Sequence, residues 1–253
     1  MKIYVTIFFM MVLFVSGCAT SQWRQEKADV HLNIASAYMG SGQYSLALKE
    51  LMEAEKFTPK NSKVHYFLGI SYYAKELQEK AMDEFKIALN LNPDYSDVYS
   101  FIGTIYINNS EWDKAIDAFT KALSNPLYQT PAVALYNMGR AYYGKGYYQE
   151  AIKKYEEARS KDPYSVPAYL IAQYIGIAYI ALGDADKAII HLNNSLVLAP
   201  SLFESHYWLG QAYLKLNRRK EAISALQIYL KASPESELAQ KAKQSLRDLN
   251  VYQ

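Results

Sequence analysis

Six times along this chain a small residue is followed by a tyrosine three places on and an alanine twelve places on. The small residues are Ala35, Gly69, Gly103, Gly139, Gly176 and Gly210, separated by 34, 34, 36, 37 and 34 residues. The tyrosines are Tyr38, Tyr72, Tyr106, Tyr142, Tyr179 and Tyr213, and the alanines Ala47, Ala81, Ala115, Ala151, Ala188 and Ala222. Pro59, Pro93, Pro163, Pro200 and Pro234 close five of the copies; the third has Leu127 there, one residue after Pro126. Within Ser62–Tyr95, large and small residues alternate at helical spacing in two runs, split by a polar turn around Lys75-Glu76. That pattern predicts two amphipathic helices folded back on each other. Gly69 and Ala81 allow the helix axes to approach to about 8–10 Å. Tyr72 and Phe85 fill the space beside them, and Pro93 stops the second helix near Asn92. One such hairpin cannot bury both of its faces, but its copies supply the missing surface.

The recurring Leu-Gly, Tyr, Ala, Phe and Pro over 34 residues resembles the tetratricopeptide repeat. The expected fold is an all-α solenoid of six helix-turn-helix repeats, at 28–61, 62–95, 96–129, 132–165, 169–202 and 203–236. The resemblance implies a right-handed superhelix. Two inserts lengthen the period, one in Asn125–Pro131 and the other at Val166-Pro167-Ala168. After Pro234, residues 237–253 place Leu238, Ala242, Leu246 and Leu249 at helical spacing with charges between them, as a C-terminal capping helix would.

The N-terminus has a different character. Lys2 precedes an uncharged apolar run from Ile3 to Val15, then Ser16-Gly17-Cys18. This describes a secretory signal over residues 1–17, shorter than the about 20 apolar residues of an ordinary spanning helix. Val15-Ser16-Gly17-Cys18 resembles the lipobox of bacterial lipoproteins, which implies lipidation at Cys18 and a short tether over 18–27. A plain signal peptide and an uncleaved anchor are the other readings. Cys18 is also the single cysteine, so no disulfide framework can form within the chain. In lipoproteins of the enterobacterial type an aspartate after the cysteine favours the inner membrane. This chain has Ala19, which implies an outer-membrane lipid anchor facing the periplasm.

Catalytic and cofactor chemistry has little to stand on. With 27 basic and 25 acidic residues, the chain lacks the basic stripe of a nucleic-acid binder. It contains no GxSxG, P-loop, HExxH or dinucleotide turn. His31, His65 and His206 share one repeat position and read as packing residues, and His191 has no partner at zinc-binding spacing. Carboxylate pairs such as Asp83-Glu84 and Glu156-Glu157 read as solvated faces. The chain is therefore expected to be no enzyme and to hold no cofactor, metal, nucleic acid or small-molecule substrate.

Binding remains. In the tetratricopeptide family first helices line a concave groove, and carrying that over by position selects eleven residues: Tyr66, Tyr73, Ser100, Thr104, Tyr136, Asn137, Arg140, Tyr143, Gln173, Tyr207 and Gln211. Tyrosine suits contact surfaces, having a broad ring, a hydroxyl and little entropy to lose. A lipobox followed closely by six such repeats resembles the type IV pilus biogenesis and stability lipoproteins, the pilotin class. That resemblance implies a protein partner in the groove, a secretin subunit, which the acyl chains would bring to the outer membrane for multimerisation. A general envelope adaptor for peptidoglycan enzymes or outer-membrane assembly factors has the same architecture. An envelope enzyme would need a catalytic segment outside the repeats, where only the tether and the last helix lie.

Overall fold

A computed structural model describes residues 2–249, with side chains from Ser21 onward. Among the described residues the chain is all helix and turn. Its helices are α1 (Lys2–Gly40), α2 (Tyr44–Phe57), α3 (Ser62–Ala74), α4 (Gln78–Leu91), α5 (Ser96–Asn108), α6 (Trp112–Ser124) and α7 (Pro131–Gly144). They continue as α8 (Tyr148–Lys161), α9 (Ala168–Leu182), α10 (Ala185–Leu198), α11 (Glu204–Lys215), α12 (Arg219–Ala232) and α13 (Glu237–Asp248). The chain divides into two compact units, Met1–Val98 and Tyr99–Gln253. The expected all-α repeat fold is what forms.

Each hairpin closes the same way. Seven residues after the small anchor the backbone turns left-handed, at Gly42, Glu76, Ser110, Gly146, Gly183 and Asn217. The next amide then donates back to the carbonyl of the recurring tyrosine, as in Gln43 to Tyr38 (2.8 Å), Leu77 to Tyr72 (3.0 Å) and Asp184 to Tyr179 (3.0 Å). Glu111, Tyr147 and Arg218 make the equivalent bonds to Tyr106, Tyr142 and Tyr213. This is the Schellman closure, which satisfies carbonyls that the helix end leaves open.

Packing explains the anchors. A Cβ on Gly139 would stand 2.6 Å from the Tyr155 ring, and one on Gly176 would stand 2.7 Å from Leu192 Cγ. Gly69 faces Phe85, Gly103 faces Phe119 and Gly210 faces Leu226 in the same way. Each facing residue lies sixteen places after its glycine and is fully buried, contributing about 1.5–3 kcal/mol.

In the N-terminal unit, Ala28, Leu32, Ala35, Ala47, Leu51, Ala54, Val64 and Leu68 form one core. The segment assigned to a tether departs from expectation. Residues 21–27 are helical and continuous with the first repeat helix; the stretch holds no proline or glycine to end it. Gln22 bonds Glu26 at 3.1 Å, and Trp23 meets the Phe57 ring edge-on at 5.6 Å. In the C-terminal unit α13 buries Ala239, Ala242 and Leu246 against Tyr207, Leu226 and Tyr229. Ser236 caps it by accepting from the Ala239 amide at 3.1 Å. Residues 250–253 lie outside the described part, as does the side chain of Cys18. Among the described residues no helix is long and apolar enough to cross a membrane.

Candidate partner-binding surface

Two of the eleven candidates lie in the N-terminal unit. Tyr66 and Tyr73 stand seven residues apart on α3 and therefore share a face. Tyr66 is half-buried, with its ring 5.2 Å from Tyr95, 5.5 Å from Phe67 and 6.2 Å from Phe85. Burial pushes the Tyr95 phenol up to about 12. This corner is an aromatic platform whose rings are already packed on one another.

In the C-terminal unit α7 carries Tyr136, Asn137, Arg140 and Tyr143 along one side. Arg140 Nη1 donates to Asn137 Oδ1 at 3.1 Å, which orients the guanidinium along the helix. Tyr136 joins a three-ring cluster, 5.8 Å from Tyr155 and 5.6 Å from Tyr174, which are themselves 5.9 Å apart. Tyr143 leans on Tyr148 at 5.3 Å, and burial raises its phenol. Thr104 is half-buried on α5 and returns its hydroxyl to the Ser100 carbonyl at 3.1 Å.

The remaining candidates serve packing. Ser100 is buried. Gln173 is 3% exposed, because α9 packs against α8, α10 and α11 and is apolar on nearly every side. Tyr207 is buried against Trp208 (4.9 Å) and Tyr229 (5.6 Å). Gln211 donates to Ser245 Oγ at 3.4 Å and so ties α11 to α13. Position within the repeat selected these four, but burial depends on what the neighbouring helix brings.

Two participants were not selected from the sequence. Tyr155 occupies the place held by Phe85 and Phe119 in the preceding hairpins, so its ring is explained and its hydroxyl is an addition. That hydroxyl is buried without a hydrogen-bond partner, as is Gln173 Nε2. Tyr174 completes the ring cluster from α9. The substitution of tyrosine for phenylalanine was the available signal.

The carboxylate reading needs correction at Glu84, which a histidine engages. His65 is 3% exposed; its Nδ1 donates to Glu84 Oε2 at 2.8 Å and its Nε2 to the Pro59 carbonyl at 2.9 Å. Both partners are acceptors, so the ring satisfies both only as the imidazolium. The Glu84 hydrogen bond raises its pKa above the ordinary value, against the effect of burial. Glu84 is thus half of a cross-hairpin ion pair, and the solvated-face reading fails for it. His31 repeats the contact with Glu50 at 2.7 Å and stacks on Phe57 at 5.9 Å. His191 stacks on Tyr179 at 5.4 Å, and burial lowers the pKa of both His191 and His206.

Family models described as tetratricopeptide repeat match residues 32–97, 132–165 and 204–236, and one described as TPR repeat matches 176–217. No curated protein matches the sequence. Among solved structures the chain is similar to PilW, described as a widely conserved type IV pilus biogenesis factor. Identity is 19%, with 85% of this chain and 97% of that one covered and a TM-score of 0.76. PilF of Pseudomonas aeruginosa matches at 15% identity over 88% and 99% of the two chains, with a TM-score of 0.76. YrrB, described as a TPR protein with an unusual peptide-binding site, matches at 18% identity over 77% and 97%, with a TM-score of 0.61. At these identities the likeness is one of fold.

Proposed function

Because this chain belongs to the tetratricopeptide-repeat family, we propose that it is a protein-binding scaffold of the bacterial envelope that acts as a pilotin for a type IV pilus secretin. The supporting observation is near full-length likeness in fold to two type IV pilus biogenesis proteins. The lipobox ending at Cys18 joins it from the sequence.

The mechanism needs no bond to be made or broken in the partner. Acyl chains on Cys18 hold the protein at the outer membrane; two or more give stable anchoring where one is marginal. A secretin subunit held on the first-helix face, against Tyr136, Asn137, Arg140 and Tyr143, is confined to that surface. Confinement raises its effective concentration where multimers form. Tyrosines packed on one another present apolar area that is already ordered, so less entropy is lost on binding.

The test is a deletion strain. Loss of heat-resistant secretin multimers and of surface pili, both restored by the wild-type chain, is the expected result. Normal multimers without the protein would sink the reading. Cys18→Ala tests the anchor separately: fatty-acid labelling should vanish and unprocessed precursor accumulate, whereas unchanged labelling and membrane fractionation would refute lipidation.

A further inference from the structure

Every second helix from α2 to α12 ends in a turn of the form X-Pro-Z, and the residue at Z is exposed each time. Z is Lys60, Asp94, Ser201 or Glu235 in four of the turns. In the two others it is Leu127 and Tyr164, which are 78% and 92% exposed. Neither is a loose loop residue. The Leu127 amide donates to Asn125 Oδ1 at 2.9 Å, and the Tyr164 amide donates to Asp162 Oδ1, also at 2.9 Å. Both turns are therefore closed by their own Asx side chains, and each holds a large apolar group in water where its equivalents hold a polar one.

The first of these turns lines a cavity of about 560 Å³ in the C-terminal unit, between the α6–α7 connection and the last turns of α8, and the second follows directly on the lining residue Lys161. Pro126, Tyr128 and Leu135 supply its apolar wall, and Lys154, Glu157 and Lys161 its charged rim. Leu127 sits between two lining residues, and Tyr164 lies three residues beyond Lys161. Lys154 is engaged with Glu157 at 2.7 Å. Lys161 has no ion-pair partner among the described residues, so the rim offers one uncommitted ammonium beside an apolar wall.

We propose that this cavity, with Leu127 and Tyr164 at its sides, is a second docking site that takes a partner-protein segment pairing an apolar side chain with an adjacent carboxylate. The cavity takes Leu135 from α7 but none of Tyr136, Asn137, Arg140 and Tyr143, so it adds a contact to the one proposed above. The apolar side chain enters between Tyr128 and Leu135 and is covered by Leu127 and Tyr164, and the carboxylate pairs with Lys161. An isolated surface ion pair contributes little. The apolar contacts therefore carry affinity, and the charge selects which segment binds.

Random short peptides displayed on phage, selected on the full chain and counter-selected on Leu127→Ser/Tyr164→Ser/Lys161→Glu, supply the probe. The expected survivors place Leu, Ile, Phe or Trp next to Asp or Glu. As synthetic peptides they should bind the triple variant at least about tenfold more weakly, and weaken with rising salt. Tyr164→Ser alone should weaken them about threefold or more, whereas Tyr136→Ala/Arg140→Ala should leave their binding unchanged. No enriched peptide, equal binding to the triple variant, or survivors without an acidic residue would overturn the proposal. So would self-association of the full chain, or binding to anionic phospholipid vesicles, that the same three changes abolish.

Discussion

In the N-terminal unit the residues four before and fifteen after the small anchor are His31 with Glu50, then His65 with Glu84, each pair in hydrogen-bond contact. In the C-terminal unit the same places hold Tyr99 and Ala118, Leu135 and Lys154, Ala172 and His191, and His206 and Ala225. No acid there faces a histidine across these places. The glycine contacts and turn closures are the same in both units, so the backbone geometry is common property. What differs is whether a hairpin is clipped by a histidine–glutamate hydrogen bond or packed by apolar and aromatic groups. A repeat scaffold specifies where side chains meet and leaves open what chemistry they use.

The largest expected effect tests the shared part. Phe85→Ala in the N-terminal unit and Leu226→Ala in the C-terminal unit should each cost about 2–5 kcal/mol, read by urea denaturation. A cost below about 1 kcal/mol in one unit only would break the claim that the glycine-facing residue plays the same role in both.

Next comes the charge pair. Glu84→Gln should cost about 1.5–3 kcal/mol near pH 6, because it removes the charged acceptor of a buried imidazolium. The folded pKa of His65 lies above its ordinary 6.5. Its contribution is therefore complete below about pH 6.5 and is lost as pH rises through the raised value. The groups facing it are Glu84 on α4, Glu55 near the end of α2 and the Pro59 carbonyl, all of which favour the charged ring. Amides of α3 and α4 should lose exchange protection over that interval, and a His65→Phe variant should not. Equal pH dependence in the two proteins would remove the distinction between the units.

A smaller change of opposite sign is expected at Tyr155. Its hydroxyl is buried and unpaired, so Tyr155→Phe should stabilise the C-terminal unit by about 1 kcal/mol, measured by thermal melting. Destabilisation would mean that the hydroxyl has a partner, most simply an ordered water. The smallest effect belongs to the turns. Glu76 and Ser110 adopt the left-handed conformation that glycine takes in three of the hairpins. Glu76→Gly should raise stability by about 0.5–1 kcal/mol; a loss would show that the Glu76 side chain contributes something the other turns lack.

The scaffold was legible because its determinants are local and recur. Gly69, Tyr72, Ala81 and Phe85 reappear in register, and the contacts between them follow from helical spacing within a single hairpin. The His65–Glu84 pair spans nineteen residues and depends on two helices lying side by side in one particular rotation, which spacing alone does not reveal. Ser100, Gln173 and Tyr207 were selected by position and are buried because of the residues opposite them. Gln173 is closed in by α9's apolar neighbours, and Tyr207 by the seat that α13 occupies. Trp23 was assigned to a tether and packs on Phe57, a contact that no pattern within residues 18–27 announces. Burial is a property of pairs of elements, and a single sequence displays one member at a time.

The six turn closures have a use in dissecting the protein. The amides of Gln43, Leu77, Glu111, Tyr147, Asp184 and Arg218 make the same bond to the same tyrosine carbonyl, one per hairpin. They form a chemically matched set of six hydrogen-exchange reporters. Differences in their rates, once corrected for intrinsic exchange, measure how readily each hairpin opens. The molecule thus carries its own ruler for local stability, graduated in units of one repeat.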